Sequence, residues 1–257
     1  MAHSTCLRLV VNKDFPEPRK VQRAVEILER GGVIAYPTDT TYGIGCSIFD
    51  RKALDRIYLL KGLKRDHLLS IVVPDLSDIA RYALVENEAY RIMKRLLPGP
   101  YTFILRATPE VPRVLQSKRK TVGIRVPNHP VTLALARAFA KPIISTSTTV
   151  NNKTLLNADE INLHMGHGLD AIVDADHIDR PPSSVVDLTG PYPTRIYSAP
   201  VRLRPGLPFG EKELLRRLER LNYREISALP SKAGEYRISG PSVEVFLRDF
   251  QHPFQRS

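Results

Sequence analysis

Residues 31–45 read GGVIAYPTDTTYGIG. The paired glycines Gly31-Gly32 stop the helical pattern that precedes them. Val33-Ile34-Ala35-Tyr36 has the length and apolar character of a buried strand, and Pro37 closes it because proline cannot donate to a ladder. Thr38, Asp39, Thr40 and Thr41 follow, then Tyr42 and two more glycines. Strand ends are where α/β folds gather ligand groups. Small polar side chains placed there direct hydroxyls into a cleft, and Gly43 and Gly45 permit a close backbone approach. The same stretch could also serve as a hydrogen-bonded turn. It is not a Walker loop, since no Gly-Lys-Ser/Thr follows.

Working outward, Val21 to Arg30 repeats apolar residues at helical spacing, and Asp50 caps a second helix reaching Leu60. Asn87 to Leu97 reads as another helix, and Pro130 to Phe139 as one opened by proline near its first turn. Strands are expected at Leu68–Val73, Tyr101–Ala107, Thr121–Val126, Pro142–Thr146, Ala171–Asp174 and Ser184–Leu188. Alternating strands and helices predict an α/β fold, a twisted open mixed sheet with flanking helices. The punctuated Pro205-Gly206-Leu207-Pro208 marks a boundary, giving a main domain over residues 1–208 and a short C-terminal extension over 209–257. In the extension, residues 211–221 read as a helix and residues 243–247 recover an apolar pattern.

The chain has 257 residues, 42% hydrophobic and 25% charged, which is ordinary globular composition. A formal net charge of +11 favours anionic partners, RNA among them. Cys6 and Cys46 form no C-x-x-C pair, so neither a disulfide framework nor a zinc ribbon is expected. Lys13, Asp14 and Glu17 interrupt the first residues before any signal-peptide core, and no apolar run is long enough to span a bilayer. The expectation is a cytoplasmic protein with no membrane partner.

Further candidate residues lie beyond the opening segment. Lys61 stands at a helix exit followed by Lys64 and Arg65, a phosphate-binding pattern that also fits a solvated helix end. Arg125 lies inside an apolar strand, where a guanidinium needs a partner or a ligand anion. Ser145 to Thr149 place hydroxyls directly after an apolar run. Asp174, Asp176 and His177 read as loop caps rather than metal ligands, so no metal site is expected in the protein itself. No Gly-x-Ser-x-Gly elbow supports a hydrolase triad.

Taken in order, GGVIAYPTDTTYGIG, Lys61, PGPYTFIL, TVGIRVPNHPV, PIISTST and SSVVDLTG resemble the YrdC-like family of threonylcarbamoyl-AMP synthases over residues 18–208, and the wording is closest to the YciO-like branch. The resemblance implies a nucleotidyltransferase that joins L-threonine, bicarbonate and ATP, with Mg2+, into threonylcarbamoyl-adenylate for tRNA modification. It implies Lys61 on the phosphates, Thr121 and Ser147 on the nucleotide, Arg125 on the threonine carboxylate, and Thr40 and Ser183 on the amino-acid side. The pattern departs at Leu63, where the family carries an arginine, at His67 for asparagine, and at Val72 for histidine. Ser147-Thr148-Thr149 replaces Ser-Ala-Asn, and the family's late arginine could be Arg195 or Arg202. These departures keep a second reading open: a double-stranded RNA-, tRNA- or ribosome-binding protein of the same fold with reduced catalysis.

Overall fold

The computed structural model describes residues 6–64, 67–150, 153–190, 195–197, 215, 223–232, 235–239 and 242–246. The chain divides into two compact units, residues 1–200 and 201–257. The sequence-based boundary at 208, and all of the expected helix at 211–221 except Leu215, lie outside the described residues.

The first unit contains, in chain order, β1 (Leu7–Val10), α1 (Pro18–Glu29), β2 (Ile34–Tyr36), β3 (Gly43–Gly45), α2 (Arg51–Lys61), β4 (Ser70–Val72), α3 (Leu76–Tyr82), β5 (Ala83–Leu84), α4 (Asn87–Leu96), β6 (Tyr101–Ala107), β7 (Thr121–Arg125), α5 (Pro130–Phe139), β8 (Ile143–Ser147), β9 (Thr149–Val150), β10 (Lys153–Thr154), α6 (Ala158–Met165), β11 (Ala171–Asp174), β12 (Ser184–Asp187) and β13 (Arg195–Tyr197). The main sheet runs β1-β11-β2-β3-β8-β4-β7-β6-β12-β13, with β5 added on β6. Its pairings are mixed: β1/β11, β11/β2, β4/β7 and β6/β12 are parallel, while β2/β3, β3/β8, β8/β4 and β6/β7 are antiparallel.

Local chemistry explains most of the element ends. Asp50 caps α2 by accepting from Ala53 N at 2.8 Å, and Gly62 closes it at φ 59°. Pro130 opens α5, and Asn157 caps α6 through Glu160 N. β3 was not foreseen, since Gly-Ile-Gly carries no apolar run. A Cβ on Gly45 would lie 2.1 Å from the Ile144 carbonyl, so glycine is what lets β3 pair with β8. The close approach expected at this glycine is therefore to a neighbouring strand.

Alternation along each strand separates the two faces of the sheet. Val33, Ala35, Ile44, Ile71, Phe103, Leu105, Val122, Ile124, Ile144, Ile172 and Val186 join the buried residues of α2, α3, α4 and α6 in the larger core. On the opposite face, Ile34, Tyr36, Ile143, Ala171 and Val173 pack with Val25 and Leu28 of α1 and Val131 and Leu135 of α5. Each such aliphatic side chain gains about 1.5–3 kcal/mol from burial. Toward β4, β7, β6 and β12 this second face turns polar, and the candidate site lies there.

The second unit contains β14 (Arg224–Glu225), β15 (Glu235–Ser239) and β16 (Ser242–Phe246), paired in that order, parallel and then antiparallel. The apolar pattern expected near residues 243–247 is thus a strand.

Candidate active site

Register places the hydroxyls in a common strip. Ser145, Ser70 and Gly123 align across β8, β4 and β7, with Gly43 opposite Ser147 at the β3–β8 junction. Ile104 pairs with Gly123, and Val185 pairs with Thr102. By alternation, Ser70, Thr102, Thr121, Arg125, Ser145, Ser147 and Ser183 share one face. A Cβ on Gly43 would meet Ser145 Oγ and the Tyr36 ring, both at 3.3 Å, so that position keeps the strip low.

One end of the strip is built around Arg125 at the end of β7. Its guanidinium donates to Asp39 Oδ1 at 3.0 Å and to Thr40 Oγ1 at 3.3 Å. All three residues are buried, Arg125 to 9% exposure, and Arg125 Nε is buried without a partner. An ionic group this enclosed is costly unless paired, and Asp39 supplies the pairing. Asp39 in turn accepts from Asn128 N at 2.9 Å. Thr40 Oγ1 is 3.1 Å from Thr38 Oγ1. His129, the residue before α5, has a buried and unpartnered Nδ1. Burial pulls its imidazole down to about 4, with Asp39 opposing that shift, so the ring is neutral at neutral pH.

The other end belongs to Lys61, in the last turn of α2. That helix packs on the opposite face of the sheet, and Lys61 reaches the end of β8. Its Nζ donates to Ser147 O at 2.7 Å and to Thr149 O. Burial lowers the ammonium to about 8, while the two carbonyl acceptors favour the charged form. Ser147 Oγ donates to Thr149 Oγ1 at 3.1 Å, and Thr149 Oγ1 is 3.2 Å from Thr154 Oγ1. Leu63 is half-buried against the main core.

Of the expected residues, the structure brings Thr40 directly against Arg125 and Lys61 directly against the Ser147 backbone. Ser183 pairs with Thr102, their hydroxyls 3.2 Å apart, and Thr121 with Ser117 at 2.6 Å. Sequence reasoning had not given roles to Asp39, Thr102, Ser117 or His129. Asp39 was visible as an acid amid threonines, but nothing in the chain announces a partner 86 residues away. Asp174, weighed as a metal ligand, instead accepts from Arg8 at 2.8 Å and from Tyr42 Oη. No group of three His, Cys, Asp or Glu among the described residues could hold a metal ion. Both cysteines are free, and no helix among the described residues is long and apolar enough to cross a membrane. Arg195 lies in β13, and Arg202 lies outside the described residues.

A mixed sheet whose one face carries a hydroxyl strip between a buried arginine and a lysine defines a class of α/β protein. Comparison gives the family: a model described as telomere recombination, for the Sua5, YciO and YrdC proteins, matches residues 26–199, and the chain belongs to that family. An uncharacterised Haemophilus influenzae protein is 42% identical over 200 residues, spanning 76% of this chain and 93% of its own length. The crystal structure of Escherichia coli YciO, 38% identical, superposes with a TM-score of 0.72 over 79% of this chain and all of its own. The crystal structure of Pyrococcus abyssi Sua5 complexed with L-threonine, 28% identical, superposes at 0.69 over 74% of this chain and 56% of its own. A threonylcarbamoyl-AMP synthase from the same archaeon is 29% identical over 250 residues, 94% of this chain and 72% of its own length. Residues 203–257 match a second model, the bifunctional transglycosylase second domain.

Proposed function

We propose that this chain is a threonylcarbamoyl-AMP synthase-type nucleotidyltransferase, joining L-threonine, bicarbonate and ATP and releasing pyrophosphate, with its product serving tRNA modification. The observation that carries this reading is the buried Arg125, paired with Asp39 and touching Thr40 while its buried Nε has no partner. A carboxylate placed beside Thr40 would complete that guanidinium, and the complex of the Pyrococcus protein with L-threonine supports an amino acid as the occupant. Thr40, Ser183 and Thr102 would hold the amino-acid end. Thr121 and Ser147 would hold the nucleotide.

In the reaction proposed, the amine of threonine is carboxylated by bicarbonate with loss of water. A carbamate oxygen then attacks the α-phosphorus of ATP, and pyrophosphate leaves. Lys61 would face the negative charge that builds on the phosphates, with one N–H left beyond its two carbonyl acceptors. Mg2+ would arrive on the triphosphate and share that charge.

The test is pyrophosphate release by purified protein supplied with ATP, magnesium, L-threonine and bicarbonate. Release that requires all of them supports the reading, and release absent at every concentration overturns it. The exposed Arg91, Lys94 and Arg95 of α4, with the net charge of +11, favour a second reading as a tRNA- or double-stranded RNA-binding protein. RNA affinity that falls steeply with added salt would support it.

A further inference from the structure

The segment joining β11 to β12 passes beside the Thr38–Thr41 loop. Arg180 N donates to Thr40 O at 3.2 Å, and Ser183 Oγ stands 3.2 Å from Thr102 Oγ1. Pro181 and Pro182 lie between these two anchors, and their fixed φ leaves the segment little freedom. Arg180 is thus held next to Thr40 with its side chain exposed. It forms no ion pair with any described residue.

The local charges give this arginine a use. Its guanidinium is near enough to His129 to help depress that imidazole, and Asp39 and Asp14 act on the same ring with the opposite sign. Arg125 is offset by Asp39 at 3.0 Å, and Asp14 adds a further negative charge. Arg180 is thus a cation beside Thr40 that no described carboxylate offsets. The exposed Arg180 and the buried Arg125 both adjoin Thr40, the first through its backbone N–H and the second through its guanidinium.

We propose that Arg180 is a rim cation that binds a carboxylate of the ligand held by Thr40 and Arg125. This rests on the amino-acid reading given above. Two carboxylates occur in that reaction: the α-carboxylate of threonine and the N-carboxylate formed from bicarbonate. Both offer a guanidinium the same planar pair of oxygens. Arg180 is a binding residue in this account and takes no part in bond making.

Calorimetric titration of the full chain with L-threonine, alone and with bicarbonate, tests the assignment. Arg180→Ala should weaken binding about fivefold, the scale of one charge-assisted hydrogen bond discounted for solvent exposure. Arg180→Lys should recover part of the loss. Weakening in both titrations identifies the α-carboxylate, and weakening only with bicarbonate identifies the N-carboxylate. Arg51→Ala, an exposed cation at the start of α2 with the same change in net charge, should bind as wild type. If Arg180→Ala binds as wild type in both titrations, or Arg51→Ala is weakened equally, the assignment is overturned while the amino-acid reading stands. If wild type binds no L-threonine in either titration, both fall.

Discussion

The two cations of the site are held in opposite ways. Arg125 is buried, paired with Asp39 through one terminal nitrogen, and keeps Nε unsatisfied. Lys61 is half-buried, and two of its donors are taken by the carbonyls of Ser147 and Thr149. The first arrangement leaves one buried donor unmet, which carries its full desolvation cost. The second has two of its three donors met by the protein alone and keeps one N–H and its charge. Under the proposed function, the end proposed for the amino acid carries Thr38-Asp39-Thr40 and Arg125, whereas the end proposed for the phosphates carries Leu63 where the resemblance implies an arginine.

If that contrast holds, Arg125→Ala should show the largest effect. It leaves Asp39 buried without its cation, so stability should fall by about 3–5 kcal/mol in chemical denaturation, and L-threonine binding should vanish. A variant that keeps wild-type stability would show that Asp39 is not dependent on the pair.

Lys61→Met should lower pyrophosphate release about a hundredfold or more, with a smaller loss of stability than Arg125→Ala. The same lysine gives a pH signature. Its folded-state value of about 8 lies below the ordinary 10.5, so the folded protein binds fewer protons than the unfolded chain between those values. Through Lys61, folding stability should therefore rise as pH climbs from about 8 toward 10.5. ATP affinity should move the other way, falling about fourfold between roughly pH 7 and 8.5 as the ammonium is lost. Lys61→Met should flatten both trends, and an ATP affinity unchanged across that range would contradict the assignment.

Leu63→Arg should have the smallest effect. It returns a guanidinium to the phosphate end and should raise ATP affinity roughly threefold. Removing the leucine from the core face should cost about 1 kcal/mol of stability. Equal ATP affinity in the two proteins would mean that the phosphate end is adapted to its leucine.

Much of the fold could be read directly. The bounds of α5 and β6 match the expected Pro130–Phe139 and Tyr101–Ala107, because a proline start and a continuous apolar run are local signals. β1 and β3 escaped notice for a shared reason. Leu7–Val10 is largely exposed on an edge strand, and Gly43–Gly45 depends on a close contact with β8, so neither carries an apolar signature of its own. α3 and α6 were also unforeseen, although Asp75 and Asn157 cap them with ordinary side-chain bonds. At the site, the types and order of Thr40, Lys61, Arg125 and Ser147 were evident. Their partners were not.

From its residues alone, this chain declared an α/β sheet and a family, and offered hydroxyls and cations as candidates for an anion. Those are properties of periodicity, turn chemistry and motif order, which act over short stretches of chain. Tertiary structure alone decided that Asp39 closes on Arg125, that Lys61 comes from the far side of the sheet to two backbone carbonyls, and that Arg180 lies against Thr40. Those contacts join residues far apart in the chain, and strand register and crossover, not local preference, bring them within hydrogen-bonding distance.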